Sequence, residues 1–164
     1  MEPVAPATAV LSSWMGILDA NRAGNVFGGR IMSMCDEAGA IAAIRHSRTR
    51  VVTAAMDEMR FRHPILIGHL VILKASVNAA WRSSMEVGVR VETEDVESGT
   101  IRHASSAFLT FVALGADGRP AAVAPLAPST DDERRREQEA QIRRRLRLER
   151  SEAAPERTTG GDAP

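Results

Sequence analysis

Asp36 and Glu37 are the residues best placed to do chemistry, because they interrupt a stretch in which carboxylates are out of place. From Val26 to His46 the chain, wound as a helix, is apolar or small on nearly every side, and a helix apolar all round is a buried one. A buried carboxylate is costly unless it has a partner or a task. Helical geometry separates the two acids by about 100°. Asp36 therefore shares a face with Met32, Ala40 and Ala43, and Glu37 shares one with Ser33, Ile41 and Ile44. Asp36 has two readings, a paired structural group or a general base or nucleophile, and Glu37 reads as structural. Immediately ahead lies a glycine-rich turn, Gly24-Asn25-Val26-Phe27-Gly28-Gly29. A turn opening a helix offers backbone N–H groups and the positive dipole end, which suit a developing negative charge. Asn25 alone reads as a turn residue.

Other chemistries find no support in the spacing. His46, His63, His69 and His103 share no pattern and read as edge or core residues, and no His/Cys/Asp cluster has zinc spacing. Ser12, Ser13 and Ser33 lack the G-x-S-x-G elbow. Gly24, Gly28 and Gly29 do not make G-x-G-x-x-G, and no G-K-[ST] follows. Cys35 is the only cysteine, so no intrachain disulfide forms, which suits a reducing compartment. It reads as a small buried thiol.

The elements that must position these residues follow from the patterning. At 164 residues the chain is one domain plus a tail, and 44% apolar content allows a substantial core. Its net charge of zero favours neither nucleic acid nor an anionic membrane. Residues 1–8 read as a flexible N-terminus, without the basic and apolar regions of a signal peptide. Val10–Leu18 reads as a strand, 19–25 as a loop and 26–46 as the central helix, too charged to span a membrane. Four further strands follow over 51–61, 70–81, 84–94 and 102–114. In the second of these Val71, Leu73, Ala75, Val77, Ala79 and Trp81 fall on one face; in the next, Met85, Val87, Val89 and Val91 alternate with polar residues. One helix among strands joined by short turns makes an α+β layer, an antiparallel sheet curled round a helix. A capping box at Thr130-Asp131-Asp132-Glu133 opens a charged C-terminal helix over 129–150. Its arginines read as a solvated face laced with pairs such as Asp132–Arg136 and Glu139–Arg143. Residues 151–164 read as a disordered tail.

The segment Asn21-x-x-Gly24-Asn25-x-Phe27-Gly28-Gly29-x-x-Met32-x-x-x-Asp36-x-x-Gly39 has company in Val51-Val52-Thr53-Ala54, Ser84-Met85-Glu86-Val87 and Ala104–Val112. Together, over about residues 10–128, these resemble the hot-dog acyl-CoA thioesterases, in the acyl-CoA hydrolase branch that includes brain acyl-CoA hydrolase and small bacterial hydrolases. The resemblance implies a five-stranded antiparallel sheet wrapped round the central helix, spanning 9–128. It implies protomers paired edge to edge, often assembled into hexamers, and an active site shared between subunits. Asn25 of one subunit would orient water or the substrate carbonyl, and Asp36 of the other would be general base or nucleophile. Gly29 would supply an oxyanion N–H, Gly28 would let the thioester approach closely, and Arg82 and Ser84 would contact CoA phosphates. Met32, Met56, Met59 and Phe61 would shape the acyl tunnel. The expected activity is hydrolysis of acyl-CoA in the cytoplasm, with no metal or redox cofactor and no nucleic-acid or membrane partner. A non-catalytic acyl-CoA sensor, a hot-dog dehydratase and a structural module are the rivals. The dehydratase would need a histidine near the site, and His46 lies at the far end of the helix from the glycine turn.

Overall fold

The computed structural model describes residues 1–57 and 59–153. Five strands, β1 (Thr8–Trp14), β2 (Arg50–Met56), β3 (Leu70–Ala80), β4 (Ser84–Asp95) and β5 (Thr100–Leu114), form one antiparallel sheet in the order β1-β3-β4-β5-β2. Helix α1 (Gly28–Ser47) packs against its inner face and α2 (Asp131–Ala153) lies against its outer face. This is the hot-dog arrangement.

The core forms where the alternating apolar residues of the strands meet one side of α1. Val71, Leu73, Val77, Met85, Val87, Val91, Leu109 and Phe111 pack with Ile31, Cys35, Ala38 and Ala42, all fully buried or nearly so. A buried side chain the size of Ile31 contributes about 1.5–3 kcal/mol. Gly39 admits the Phe111 ring: a Cβ there would stand 2.9 Å from Cε2. The absence of a side chain at position 39 thus makes room for an aromatic ring.

Several expectations change. Helix α1 is not enclosed on every side: Ser33 and Glu37 are exposed, and Met32 and Ile44 are 40% and 45% exposed. A single sheet covers only the side it curls round. Residues 1–8 are not loose along their whole length, because Val4 exchanges backbone bonds with Pro125 and Ala127, at 3.0 and 2.8 Å. The first strand ends at Trp14, and Ile17–Asp19 is a 3₁₀ turn in which the Asp19 carboxylate accepts from Gly16 N–H at 2.8 Å. The second strand stops at Met56 rather than Phe61, and its pairing with β5 shifts between Thr53 and Ala55. The shift between Val77 and Ala79 sends Ala79 opposite Glu86, on the outer face. Trp81, expected on the core face, instead lies under Arg144 of α2, its Nε1–H donating to Gln141 at 3.0 Å. The helix expected to end at Arg150 runs through 151–153; the rest of the expected tail, 154–164, lies outside the described residues. No helix among the described residues is long and apolar enough to cross a membrane.

Candidate functional site

Asp36 stands at the boundary of α1 between its buried side (Cys35, Gly39) and its open side (Ser33, Glu37), and is itself half-buried. Thr53 of β2 donates its hydroxyl to Asp36 Oδ1 at 2.6 Å. One carboxylate oxygen is thereby held, and the carboxylate is oriented by a neutral donor. The neighbouring Cys35 is a poor candidate nucleophile. Its thiol is fully buried and pushed up to about 12, first by desolvation and then by the Asp36 charge.

The glycine turn builds a second half-site. Asn21 Oδ1 accepts from Ala23 N–H at 2.8 Å and Asn25 N–H at 3.2 Å, and Asn21 N–H donates to Asn25 carbonyl at 2.7 Å. Gly24 completes this loop at φ 81°, a conformation that suits glycine. Asp19 then ties the loop to the helix start: its carbonyl accepts from Phe27 N–H at 2.7 Å and its carboxylate pairs with Arg30 at 3.2 Å. Gly28 and Gly29 lie beside two aromatic rings, Phe61 against Gly28 and Phe27 against Gly29. A cleft of about 400 Å³ opens here, lined by Asn21, Asn25 and Gly28 on one side and by Phe61, Arg62, His63 and Ile65 on the other. First-turn N–H groups of a helix have no intrahelical acceptor, so this is a place where an oxyanion can be received.

The sequence-derived candidates therefore fall into three places. Asn25 and Gly28 come together at the cleft, joined by Asn21, and Gly29 follows in the first turn of α1 against the Phe27 ring. Asp36 is eight residues further along α1, about 12 Å by helical rise, and is not among the cleft-lining residues. Ser84 opens β4, and Arg82 lies in the β3–β4 turn, where its carbonyl accepts from Val123 N–H at 3.1 Å. The next residue, Ala124, meets His46 at 2.9 Å, at the C-terminal end of α1, opposite the glycine turn. One chain does not unite the three.

Two residues escaped the sequence reading. Asn21 heads the motif, yet its local context reads only as loop. Thr53 lay inside a quoted strand motif, and nothing local revealed that it reaches Asp36. The sequence reads the arginines of α2 as a solvated face laced with ion pairs: Arg134, Arg135 and Arg145 are exposed, and the expected pairs form, Arg136 with Asp132 at 3.3 Å and Arg143 with Glu139 at 4.0 Å. Arg143 and Arg147 also engage Glu86, which is fully buried on the outer sheet face. Among the described residues no group of three His, Cys, Asp or Glu could hold a metal ion.

Residues 23–100 match the family model of the thioesterase superfamily. The chain is 41% identical over 132 residues to acyl-coenzyme A thioesterase 11 of Mus musculus, covering 80% of this chain but only 22% of that longer protein. It is also 41% identical over 116 residues to an uncharacterised acyl-CoA thioester hydrolase of Bacillus subtilis, covering 71% of this chain and 67% of the relative. Among solved structures, an apo-hexameric acyl-CoA thioesterase superposes with a TM-score of 0.87 at 30% identity, covering 91% of this chain and 97% of that one. An acyl-CoA hydrolase from Staphylococcus aureus, solved with butyryl coenzyme A and coenzyme A, superposes with a TM-score of 0.80 at 33% identity, covering 89% and 92%. That enzyme has also been solved with alanine replacing an aspartate, an asparagine and a threonine. The asparagine stands fifteen positions before the aspartate and the threonine seventeen after it. In this chain Asn21 and Thr53 stand at those same distances from Asp36.

Proposed function

The chain belongs to the thioesterase superfamily, and from that premise we propose that it hydrolyses the thioester of acyl-CoA, releasing CoA and a carboxylic acid, with Asp36 as the general base. The observation that carries this is the Thr53–Asp36 hydrogen bond at 2.6 Å. It leaves Oδ2 of Asp36 to take a proton from water as that water attacks the thioester carbonyl carbon. The tetrahedral oxyanion accepts from the Gly29 N–H at the helix start. Collapse breaks the C–S bond, and the proton held by Asp36 passes to the departing sulfur. Gly28, with no side chain, lets the thioester reach the backbone. No step calls for a metal or a redox cofactor.

The asparagine of this site is assigned to Asn21 in place of Asn25, on the spacing that Asn21 shares with the Staphylococcus aureus residues. Its amide either orients the water or donates to the substrate carbonyl. Since Asp36 and the Asn21 cleft are separate within one chain, the working site is proposed to form between two copies. Strand β2 sits at the sheet edge with Val52 46% exposed, beside the open face of α1 that carries Met32 and Ile44. Edge-to-edge pairing would cover both, and assembly of such dimers into hexamers is proposed from the hexameric neighbour. Arg82 and Ser84 remain proposed contacts for CoA phosphate. The single buried thiol suits a reducing cytoplasm.

Thiol release from a series of acyl-CoAs, short to long, by wild type and Asp36→Ala tests the proposal. Turnover should fall by roughly 10²–10⁴-fold in the variant, with fold and assembly kept. Undiminished turnover in Asp36→Ala removes that residue from the mechanism. Wild type that binds acyl-CoA and releases no thiol overturns the enzymatic reading in favour of a sensor.

A further inference from the structure

Asp57 lies midway between the two halves of the site, four residues after Thr53 and four before Phe61. It is the first residue beyond β2, and its backbone N–H still donates to Phe108 carbonyl at 2.9 Å. Its carboxylate turns to the outer face and accepts from Arg147 Nη1–H of α2 at 2.7 Å. The same Nη1 stands 3.3 Å from Glu86, whose side chain is fully buried. Glu86 does not depend on Arg147, because Arg143 engages it through Nη2 at 2.6 Å and Nε at 3.1 and 3.2 Å. Arg147 is thus the arginine that reaches from this anchored pair to the end of β2.

Within one chain strand β2 has few other fastenings, and edge pairing with a second copy would add backbone bonds on its open side only. It is an edge strand of seven residues, it pairs only with β5, its register slips at Thr53/Ala55, and none of its residues is fully buried. Yet it must hold the Thr53 hydroxyl within hydrogen-bonding reach of Asp36. A frayed edge strand would swing that hydroxyl away, and a displacement of about 1 Å at a positioning group can cost on the order of a hundredfold in rate.

We infer that Arg147 and Asp57 are positioning residues: their ion pair ties the C-terminal helix to the end of β2, and through Thr53 it fixes the direction of the Asp36 carboxylate. This rests on the thioesterase reading for its consequence in catalysis, but not for the tether itself. The C-terminal helix is then a working part of the site through this pair.

The test compares full-length wild type, Asp57→Asn, Arg147→Gln, the double variant and Arg143→Gln by two readouts. The first is backbone hydrogen exchange of residues 52–56. Exchange should quicken about tenfold in Asp57→Asn and Arg147→Gln and stay within about twofold of wild type in Arg143→Gln. The second is butyryl-CoA hydrolysis. The single variants should lose about tenfold in kcat with KM within about twofold, the double variant should be no worse than either, and in a Thr53→Ala background Asp57→Asn should change nothing further. Unchanged exchange at 52–56 overturns the tether. Equal losses in Arg143→Gln overturn it too, by showing that only the docking of α2 matters. Losses that add to Thr53→Ala overturn the path through Thr53. Absence of thiol release by wild type would instead sink the thioesterase reading, leaving the exchange result to decide the tether.

Discussion

Cys35 and Asp36 are neighbours in the chain with opposite fates. One turns into the core and the other to the boundary of the helix, a difference of about 100° in direction. For Cys35, burial raises the thiol to about 12, so its thiolate is a very small fraction near neutral pH. The folded protein should leave a thiol reagent unreacted while denatured protein titrates one thiol per chain. A colorimetric thiol count with and without denaturant checks this, and rapid native labelling would contradict the enclosed position of Cys35. The same inertness keeps the protein's own thiol out of any assay that counts released CoA. Asp36 was legible as an anomaly in an apolar stretch, but its partner was not. Thr53 is seventeen residues away, and the bond between them exists only because β2 returns along α1.

At the level of elements, pairing between strands places charges that local patterning treats as independent. Glu92 of β4 accepts from Arg90 at 2.6 Å and from Lys74 of the neighbouring β3 at 2.7 Å. The Arg90 hydrogen bond first, and then that of Lys74, hold its carboxyl below the ordinary value of 4.5. A carboxylate depressed in the folded state adds stability above its unfolded value and loses it as pH falls through the folded one. Wild type should therefore lose thermal stability steadily below about pH 4.5, and Glu92→Gln should start lower near neutrality and decline less over the same interval. Melting curves from about pH 7 to about pH 3 decide it; parallel curves for the two proteins would remove Glu92 as a source of acid sensitivity. Helix α2 shows the same dependence on pairing. Its capping box was legible and holds, with Thr130 N–H donating to Glu133 at 3.1 Å and Glu133 N–H to Thr130 at 3.2 Å. Its docking on the outer face was not legible, because the anchor, Glu86, reads as an ordinary solvent-facing residue of an alternating strand.

For the whole molecule, the proposal that Asp36 and the separate Asn21 cleft serve one site ties catalysis to assembly. If each working site takes Asp36 from one copy and Asn21 from another, two inactive proteins can repair each other. Asp36→Ala and Asn21→Ala, each inactive alone, should recover about a quarter of wild-type activity when mixed and allowed to exchange subunits at random, since an isologous heterodimer keeps one intact site of two. No recovery after verified exchange would place both residues in one subunit's site. Asn25→Ala in place of Asn21→Ala should leave activity close to wild type, separating the two asparagines.

Near neighbours in the chain set the parts that can be read without a structure. These were the glycine turn and the helix it opens, the alternation of β4, the capping box, the out-of-place carboxylate at Asp36, and enough motif order to imply the hot-dog sheet. Tertiary structure decided the direction in which those parts face. A shift of pairing at Val77/Ala79 carries Trp81 to the outer face, another at Thr53/Ala55 accompanies the contact with Asp36, and a sheet on one side only leaves Met32 and Ile44 of α1 uncovered. The physical reason is that a strand's side chains alternate with a period of two, so one extra residue reverses the face of all that follow. That extra residue is set by pairing with a strand far away in the chain, which no local pattern records.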